Sequence, residues 1–286
     1  MSKTLKLIKV LERSEKPSPE DQEVLLRVAE RNKVLLGFLR SADVNNDARI
    51  LEENRYRRYV SSVAEIADAL RGLNYAFHKF RKPVHHVSVD IDVLIDQRDL
   101  VRAVKKLISR GYRVKLLEKY TATLVKNSVI VDLYVHPAFA WVIYLDGSKL
   151  LNCCIEEFDF EGYLVRGLTK EAEAVVSAAH AIYKEHMYLL IDYFTTKNWL
   201  SPKALRLSSE LGVEDSVKIS WLLNKLVDEG IIELPHKISL ALISKLYQSK
   251  FLRDPWFRAT SPNLIKYLLS ERAGEVLRWR LTRETY

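Results

Sequence analysis

Three aspartates in apolar, β-branched segments are the residues of this sequence best suited to chemistry. Asp90 and Asp92 stand two positions apart in the run VSVDIDVLI, and Asp132 lies within VIVDLYV. Because side chains alternate along a strand, both members of the first pair are predicted to project from one face. Like charges repel strongly in a poorly solvated site. We therefore predict that the three carboxylates bind a divalent cation, Mg²⁺ or Mn²⁺, and act on a phosphate-containing substrate.

The segment around these aspartates is predicted to form a small mixed sheet with one helix. An amphipathic helix over 97–110 follows the first aspartate strand, with apolar side chains at helical spacing. Strands over 112–117 and 121–125 and a hairpin turn then lead into the strand that contains Asp132. A further strand over 73–80 precedes the segment. This order indicates an α/β (α+β) fold.

The order of these motifs resembles the DNA polymerase β-like nucleotidyltransferase superfamily. The similarity rests on the strand Asp90-Ile91-Asp92, the helix after it and the third strand aspartate, and it covers roughly residues 73–136. Within the superfamily, the chain looks closest to a group of uncharacterised nucleotidyltransferases with a D-I-D-x-L core. The resemblance implies that Asp90, Asp92 and Asp132 are catalytic and bind Mg²⁺ or Mn²⁺. These ions would hold the triphosphate of a nucleotide and the attacking hydroxyl group.

One motif of the superfamily is missing at its usual place. A Gly-Ser pair normally precedes the first aspartate and holds the terminal phosphates, but that position falls here near His78 and Lys79. Lys79, Arg81 and Lys82 are predicted to bind the phosphates instead, as point charges or as a bidentate fork. Ser88 is a further candidate nucleotide-binding residue. The alternative is that the missing pair reflects weakened or absent catalysis.

The composition is that of a folded protein with a preference for acidic partners. Of 286 residues, 48% are hydrophobic and 29% are charged, with a net charge of +8, which allows one large or two modest domains. The positive charge favours a polyanionic partner or an acidic ligand. Neither a membrane-length apolar run nor a signal-peptide pattern is present, so we predict a cytoplasmic protein without a membrane partner. The high content of Lys, Arg and Glu resembles the composition of thermophilic proteins.

The two cysteines, Cys153 and Cys154, are adjacent in the sequence. Neighbouring cysteines rarely form a disulfide, and this spacing is not a C-x-x-C zinc motif. We therefore expect two unpaired thiols, which suit a reducing compartment.

The chain is predicted to consist of an N-terminal helical segment over 1–50, a nucleotidyltransferase-like domain over 51–165 and a mainly helical C-terminal domain over 166–286. Within the last domain, residues 201–240 look like a winged helix-turn-helix that ends in a strand over 230–235. The helix that would read DNA has few basic or amide side chains. We therefore favour a packing or substrate-placing domain over a DNA reader.

The C-terminal domain is predicted to begin with one long helix. Thr169 is placed as its N-cap, and an apolar stripe extends to Tyr193. His186 lies on this stripe and is expected to be a core histidine. It lies about 120° around the helix from His180, so the two are not expected to share a metal.

The tail over 237–286 is predicted to be helical and basic, with several aromatic side chains. Basic side chains contact phosphates and aromatic rings stack on bases, so this tail is the best candidate for an RNA-binding surface. The basic residues in question are Lys245, Lys250, Arg253, Arg258, Lys266, Arg272, Arg278, Arg280 and Arg283.

The motifs, the resemblance and the charge together predict a metal-dependent nucleotidyltransferase. It would transfer a nucleotidyl group from a nucleoside triphosphate to an acceptor, with RNA, particularly tRNA, as the favoured acceptor. Two alternatives remain: a non-catalytic nucleic-acid-binding protein that keeps this fold, and a winged-helix regulator. The sequence specifies neither the base of the nucleotide nor the oligomeric state.

Overall fold

A seven-stranded mixed sheet forms the centre of the computed structural model, which describes residues 2–270 and 279. The helices of this part are α1 (Lys3–Leu11), α2 (Pro19–Arg31), α3 (Leu35–Ser41), α4 (Asp47–Ala69), α5 (Leu100–Ser109), α6 (Gly147–Cys153), α7 (Lys170–His180), α8 (Leu190–Trp199), α9 (Pro202–Glu210), α10 (Glu214–Asp228), α11 (Leu240–Arg253), α12 (Pro255–Thr260) and α13 (Asn263–Leu268). The strands are β1 (Tyr75–Phe77), β2 (Asp90–Ile95), β3 (Arg113–Leu117), β4 (Thr121–Lys126), β5 (Val129–Tyr134), β6 (Ala138–Phe139), β7 (Val142–Ile143), β8 (Ile155–Phe160), β9 (Tyr163–Leu168), β10 (Met187–Tyr188) and β11 (His236–Lys237).

The strand order in the sheet is β3-β4-β5-β2-β1-β9-β8. The two aspartate strands, β2 and β5, are parallel neighbours, and Asp92 lies directly opposite Asp132. The predicted helix over 97–110 and the strands that follow it are confirmed as α5, β3, β4 and β5, with ends shifted by a few residues. The predicted mixed α/β class is therefore confirmed. The sheet is larger than expected because β8 and β9 extend it beyond β1.

Alternation along β2 separates the two faces of the sheet. Ile91 and Val93 are buried in the apolar core beneath α4 and α5, whereas Leu94 points to the opposite face and joins the larger helical core. The aspartates of β2 share that opposite face, as the period of two requires. The carboxylates consequently face the helical half of the molecule rather than α4 and α5.

The N-terminal helices pack directly on the C-terminal helical region. Thr4 Oγ1 donates a hydrogen bond to Glu233 Oε2 at 2.7 Å, and Asn32 Nδ2 donates to the carbonyl oxygen of Leu234 at 2.9 Å. The side chain of Asn32 also accepts from the backbone N–H of Leu190 at 2.9 Å. These polar contacts join the N-terminal helices to residues 190–234. The two parts of the chain were predicted as separate segments, and the boundaries of those segments stay a prediction.

The long helix predicted from Thr169 is wrong in its extent. The Thr169 side chain caps α7 as expected, but α7 ends at His180 and passes into a π-helical turn, Ala181–Glu185. His186 then adopts a left-handed backbone conformation at φ 55°. Strand pairing explains the break, because β10 forms hydrogen bonds with the distant strand β11. The apolar periodicity of the segment itself cannot indicate such a distant partner.

The strand predicted over 230–235 is also wrong. The helices α9 and α10 form as expected, but the strand that follows is β11, His236–Lys237, and it pairs with β10 outside the segment 201–240. Within residues 2–270, this segment consequently has no hairpin of its own to serve as a wing.

The expectation of two unpaired thiols is wrong as well. A disulfide joins Cys153 to Cys154 where α6 ends and β8 begins. At this point Cys154 leaves the helical conformation, with φ −136° and ψ 33°, and the two adjacent side chains lie on the same side of the chain.

Among the residues that the structure describes, we find no helix with the length and apolar character needed to cross a membrane.

Candidate active site

The three predicted carboxylates converge at one point. Asp90, Asp92 and Asp132 each contribute an oxygen that lies within 4.8 Å of the others. The parallel pairing of β2 with β5 produces this arrangement, because it places Asp92 opposite Asp132 and leaves Asp90 one side-chain repeat away on the same face. The three carboxylates that the sequence analysis singled out thus lie together on one face of the sheet, and their role as catalytic and metal-binding residues stays a prediction.

Neighbouring hydroxyl groups orient Asp132. Thr123 Oγ1 on β4 donates to its Oδ1 at 2.5 Å, and Tyr134 OH donates to its Oδ2 at 3.3 Å. Burial, and next the negative charge of Asp92, raise the pKa of the Asp132 carboxyl above its usual value. A carboxylate with a raised pKa is a better proton acceptor than a fully solvated one.

A lysine ammonium group compensates part of this negative charge. Lys79 Nζ lies 2.8 Å from Asp92 Oδ2, and the exposed fractions of the two side chains are only 14% and 7%. Burial works against the charged form of Lys79, but the carboxylates of Asp92 and Asp90 outweigh it and raise the pKa of the lysine. Lys79 therefore remains protonated beside the carboxylates.

The carboxylate cluster has the features that a divalent cation requires. Asp92 Oδ1 is buried and has no hydrogen-bond partner within residues 2–270. Leaving a buried carboxylate oxygen without a partner is costly, so such an atom indicates a ligand position. Three carboxylate groups are also the hard oxygen donors that Mg²⁺ and Mn²⁺ prefer. The residues present therefore fit a metal ion.

The carboxylates lie in a polar cleft of about 490 Å³ between the sheet and the helices. This volume falls within the range of ordinary small-molecule sites. The cleft is formed by loop 82–89, the N-terminal helices and the α7–α8 region. Its further charged or titratable lining residues are Glu30, Lys33, Glu52, Arg55, Lys82, His86, His180, Lys184, Glu185 and Asp192.

The structure separates the residues that were predicted to bind the nucleotide. Lys79, Lys82 and Ser88 line the cleft, and Ser88 Oγ lies 3.2 Å from Asp90 Oδ1. Arg81 points elsewhere. It forms an ion pair with Glu156 on β8 and covers the ring of Phe158 at 4.3 Å from the ring centroid.

His180 on α7 lines the cleft and was given no role by the sequence analysis. Its Nε2 lies 3.2 Å from Glu185 Oε1, and its Nδ1 lies 3.2 Å from the hydroxyl of Tyr144. Burial lowers its pKa well below the usual value, so the ring is neutral at pH 7. His186, the other histidine of the predicted stripe, is buried and contacts the hydroxyl of Tyr247 at 3.0 Å, as expected for a core residue.

Glu173 supports the site from α7, and the sequence analysis gave it no role. It lies on α7 with 0% exposure, and its Oε1 accepts from the backbone N–H groups of Phe80 at 3.1 Å and Arg81 at 3.4 Å. Its Oε2 is buried without a hydrogen-bond partner among the described residues. Glu173 thus fixes the loop that presents Lys79 and Lys82. An acidic residue in the first turn of an apolar helix was the one available signal, and it is usually only a favourable dipole contact.

Glu173 is expected to make stability depend on pH. Burial raises its pKa from 4.5 to about 7, although Lys82 and the backbone N–H groups act in the opposite direction. The folded protein therefore holds this proton more tightly than the unfolded chain. Its contribution is fully present below pH 4.5 and is lost as the pH rises through 7, a loss of about 3 kcal/mol.

The Glu173→Gln variant, which cannot ionise, tests this expectation. Urea unfolding between pH 4 and 8 should show a wild-type stability that falls relative to the variant between about pH 4.5 and 7 and then stays level. Comparing the two proteins at each pH cancels the other titrating groups. A constant difference between them would show that Glu173 does not titrate in this window.

The basic tail is only partly exposed. Lys250 is buried, whereas Arg253 is exposed and lies 3.7 Å from Asp215. Lys245, Arg258 and Lys266 are exposed. The remaining basic residues of the predicted surface, Arg272, Arg278, Arg280 and Arg283, lie outside the described residues.

Comparisons with known proteins give a distant likeness. The crystal structure of ANT(2″)-Ia in complex with adenylyl-2″-tobramycin matches with 16% identity and a TM-score of 0.37, over 58% of this chain and 96% of that chain. The solution structure of the antibiotic-resistance factor ANT(2″)-Ia matches with 16% identity and a TM-score of 0.35, over 61% of this chain and 95% of that chain. No protein-family model and no curated protein matches the chain. At these values the likeness carries no functional argument, so function must be inferred from the site itself.

Proposed function

We propose that the chain is a metal-dependent nucleotidyltransferase, which transfers a nucleotidyl group from a nucleoside triphosphate to an acceptor and releases pyrophosphate. The observation that supports this most is the convergence of Asp90, Asp92 and Asp132 in one cleft. The buried oxygen of Asp92, without a hydrogen-bond partner within residues 2–270, adds to it. The resemblance of the aspartate motifs to the DNA polymerase β-like superfamily supplies the reaction class.

In this proposal each carboxylate has a role. Asp90, Asp92 and Asp132 would hold one or two divalent ions. When bound, such ions neutralise charge on the triphosphate and on the attacking oxygen. Asp132, oriented by Thr123 and Tyr134, accepts the proton of the acceptor hydroxyl. The oxygen of the acceptor forms a bond to the α-phosphorus, the bond from that phosphorus to the bridging oxygen breaks, and pyrophosphate leaves.

Basic and hydroxyl side chains of the cleft would position the triphosphate. Lys82 and Ser88 face the same space as the carboxylates, and Glu173 fixes the backbone next to Lys82. Catalysis of this kind depends mainly on positioning and on charge neutralisation rather than on covalent intermediates. Arg81, which is paired with Glu156, has no part in this proposal.

RNA as the acceptor stays a prediction. The exposed side chains of Lys245 and Lys266 support it only weakly, because Lys250 is buried within the protein. The cleft itself, at about 490 Å³, suits a small ligand and is too confined for a folded RNA to enter as a whole. A flexible RNA end is the part that this cleft can admit.

A non-catalytic protein with the same fold is the second candidate. The observation that favours it is the ion pair between Lys79 and Asp92, because it neutralises part of the charge that would otherwise attract a metal ion. In that case the carboxylates are structural, and any binding of nucleic acid does not depend on Mg²⁺.

Nucleotide binding and transfer distinguish the two candidates. The purified protein is incubated with each α-labelled nucleoside triphosphate, with total RNA or with a small-molecule extract, in Mg²⁺, in Mn²⁺ and in EDTA. We expect metal-dependent binding of at least one triphosphate, and metal-dependent transfer of label to an acceptor. Binding is measured separately by calorimetry because it needs no acceptor. The absence of metal-dependent binding for all four triphosphates would favour the non-catalytic candidate.

A further inference from the structure

The position of Lys79 is unusual for a residue that was expected to contact phosphates. Its Nζ lies 2.8 Å from Asp92 Oδ2 and 5.4 Å from the ring centroid of Tyr134. The ammonium group is thus a member of the carboxylate cluster itself. It engages Oδ2 of Asp92, next to Oδ1, the oxygen that has no hydrogen-bond partner within residues 2–270.

The backbone of Lys79 is held in place. Lys79 has a left-handed conformation at φ 55°, which is uncommon for a residue other than glycine. On one side, the N–H of His78 donates to the carbonyl oxygen of Asp92 at 3.1 Å. On the other side, the N–H groups of Phe80 and Arg81 donate to Glu173. The backbone is therefore fixed, whereas the four-carbon side chain of a lysine is flexible.

A divalent ion and the ammonium group compete for the same carboxylate. Both are cations, and their repulsion at such a short separation is large in a poorly solvated site. Only one oxygen of Asp92 is engaged by Lys79, while Oδ1 has no hydrogen-bond partner in the described part of the chain. A metal ion that uses Asp92 must either displace the lysine or bind against its charge.

We propose that Lys79 is an exchangeable internal counter-ion, which neutralises Asp92 in the metal-free protein and moves to the phosphate chain when metal and triphosphate enter together. This inference rests on the proposed metal-dependent function. The lysine opposes binding of the metal alone and favours binding of the metal–triphosphate complex. Reciprocal linkage then makes each of these two ligands strengthen the binding of the other.

The test uses two binding measurements on full-length wild type and Lys79→Met. Binding of Mn²⁺ alone is followed by the electron paramagnetic resonance signal of free Mn²⁺. Binding of Mn²⁺–tripolyphosphate is followed by calorimetry. We expect the variant to bind Mn²⁺ alone about tenfold more tightly, and to bind Mn²⁺–tripolyphosphate about tenfold more weakly. The opposite signs are the diagnostic result, because a merely structural lysine would change both affinities in the same direction.

Three further variants control the experiment. Lys126→Met removes a lysine of the same sheet that pairs with Glu65 at 2.5 Å and should change neither affinity. Lys79→Gln is a second neutral variant and should repeat the result of Lys79→Met. Asp132→Asn should lose Mn²⁺ binding. Addition of Mn²⁺ should raise the Tm of Lys79→Met and of Lys79→Gln more than it raises the Tm of wild type.

The outcomes separate this inference from the proposed function. Mn²⁺ binding that is lost in Asp132→Asn but is no tighter in either Lys79 variant would overturn the exchange and leave the metal site standing. Mn²⁺ binding by the Lys79 variants but not by wild type would support the exchange. If neither wild type nor these variants bind Mn²⁺ alone at millimolar concentration, the exchange is wrong; if they also fail to bind Mn²⁺–tripolyphosphate, the proposed function is wrong as well.

Discussion

Asp90→Asn is expected to lower the rate of nucleotidyl transfer by about 1000-fold, because the amide removes a charge that both metal binding and transition-state stabilisation need. The substitution keeps the size of the side chain, and its amide oxygen can still accept the hydrogen bond from Ser88. The rate is measured under saturating nucleotide and Mg²⁺, so that reduced occupancy does not account for the whole effect.

A matched control is Asp159→Asn. Asp159 belongs to the same sheet but is exposed on β8. Within residues 2–270 the one hydrogen bond of its side chain is from the backbone N–H of Gly162, at 3.3 Å, which an amide oxygen can also accept. The transfer rate of Asp159→Asn should equal that of wild type.

Asp90→Asn should also raise the Tm of the metal-free protein, since one of three mutually repelling carboxylates is gone. If Asp90→Asn transfers the nucleotide at more than a tenth of the wild-type rate and still requires Mg²⁺, Asp90 is not one of the catalytic residues.

Lys250→Met is expected to destabilise the protein by about 3–5 kcal/mol. It leaves the largely buried Asp254 without its ion-pair partner, although Asp254 Oδ1 still accepts from two backbone N–H groups at the start of α12. The side chain of Lys250 has 0% exposure and that of Asp254 has 12%. Lys250 Nζ donates to Asp254 Oδ2 at 2.7 Å and to the carbonyl oxygen of Gly212 at 2.9 Å. The ammonium group also lies over the ring of Tyr183, 5.2 Å from its centroid. The free energy of unfolding is measured by urea denaturation.

Lys245→Met is the control for this variant. Lys245 lies on the same helix, α11, but is exposed, so its substitution should change stability by less than about 0.5 kcal/mol. The double variant Lys250→Met/Asp254→Asn should recover part of the loss, since the carboxylate that had lost its partner is then neutral. A loss below about 1 kcal/mol for Lys250→Met would mean that solvent reaches Asp254 in the variant and compensates for the missing ammonium.

Local patterns in the sequence determined that Asp90 and Asp92 share one face, whereas the non-local pairing of β2 with β5 brought Asp132 to them. The spacing of Asp90 and Asp92 places both on one face of β2 whatever the rest of the chain does, because side-chain alternation is a property of the strand backbone. The hairpin turn before β5 and the cap at Thr169 are equally local, and both are confirmed. The helix α5 was predictable for the same reason, since its apolar side chains repeat at helical spacing.

Tertiary structure decided which charges meet. Lys79 and Asp92 are brought together by the turn after β1, Glu173 reaches the same loop from a helix more than ninety residues later, and Lys250 is buried against the turn at Gly212. A lysine in a sequence looks identical whether it contacts solvent, a phosphate or a buried carboxylate. Its role depends on long-range packing. Long-range pairing of β10 with β11 is likewise the reason that the predicted long helix ends at His180. Short-range spacing thus determined the chemistry that is available, and packing between distant segments decided which groups surround it.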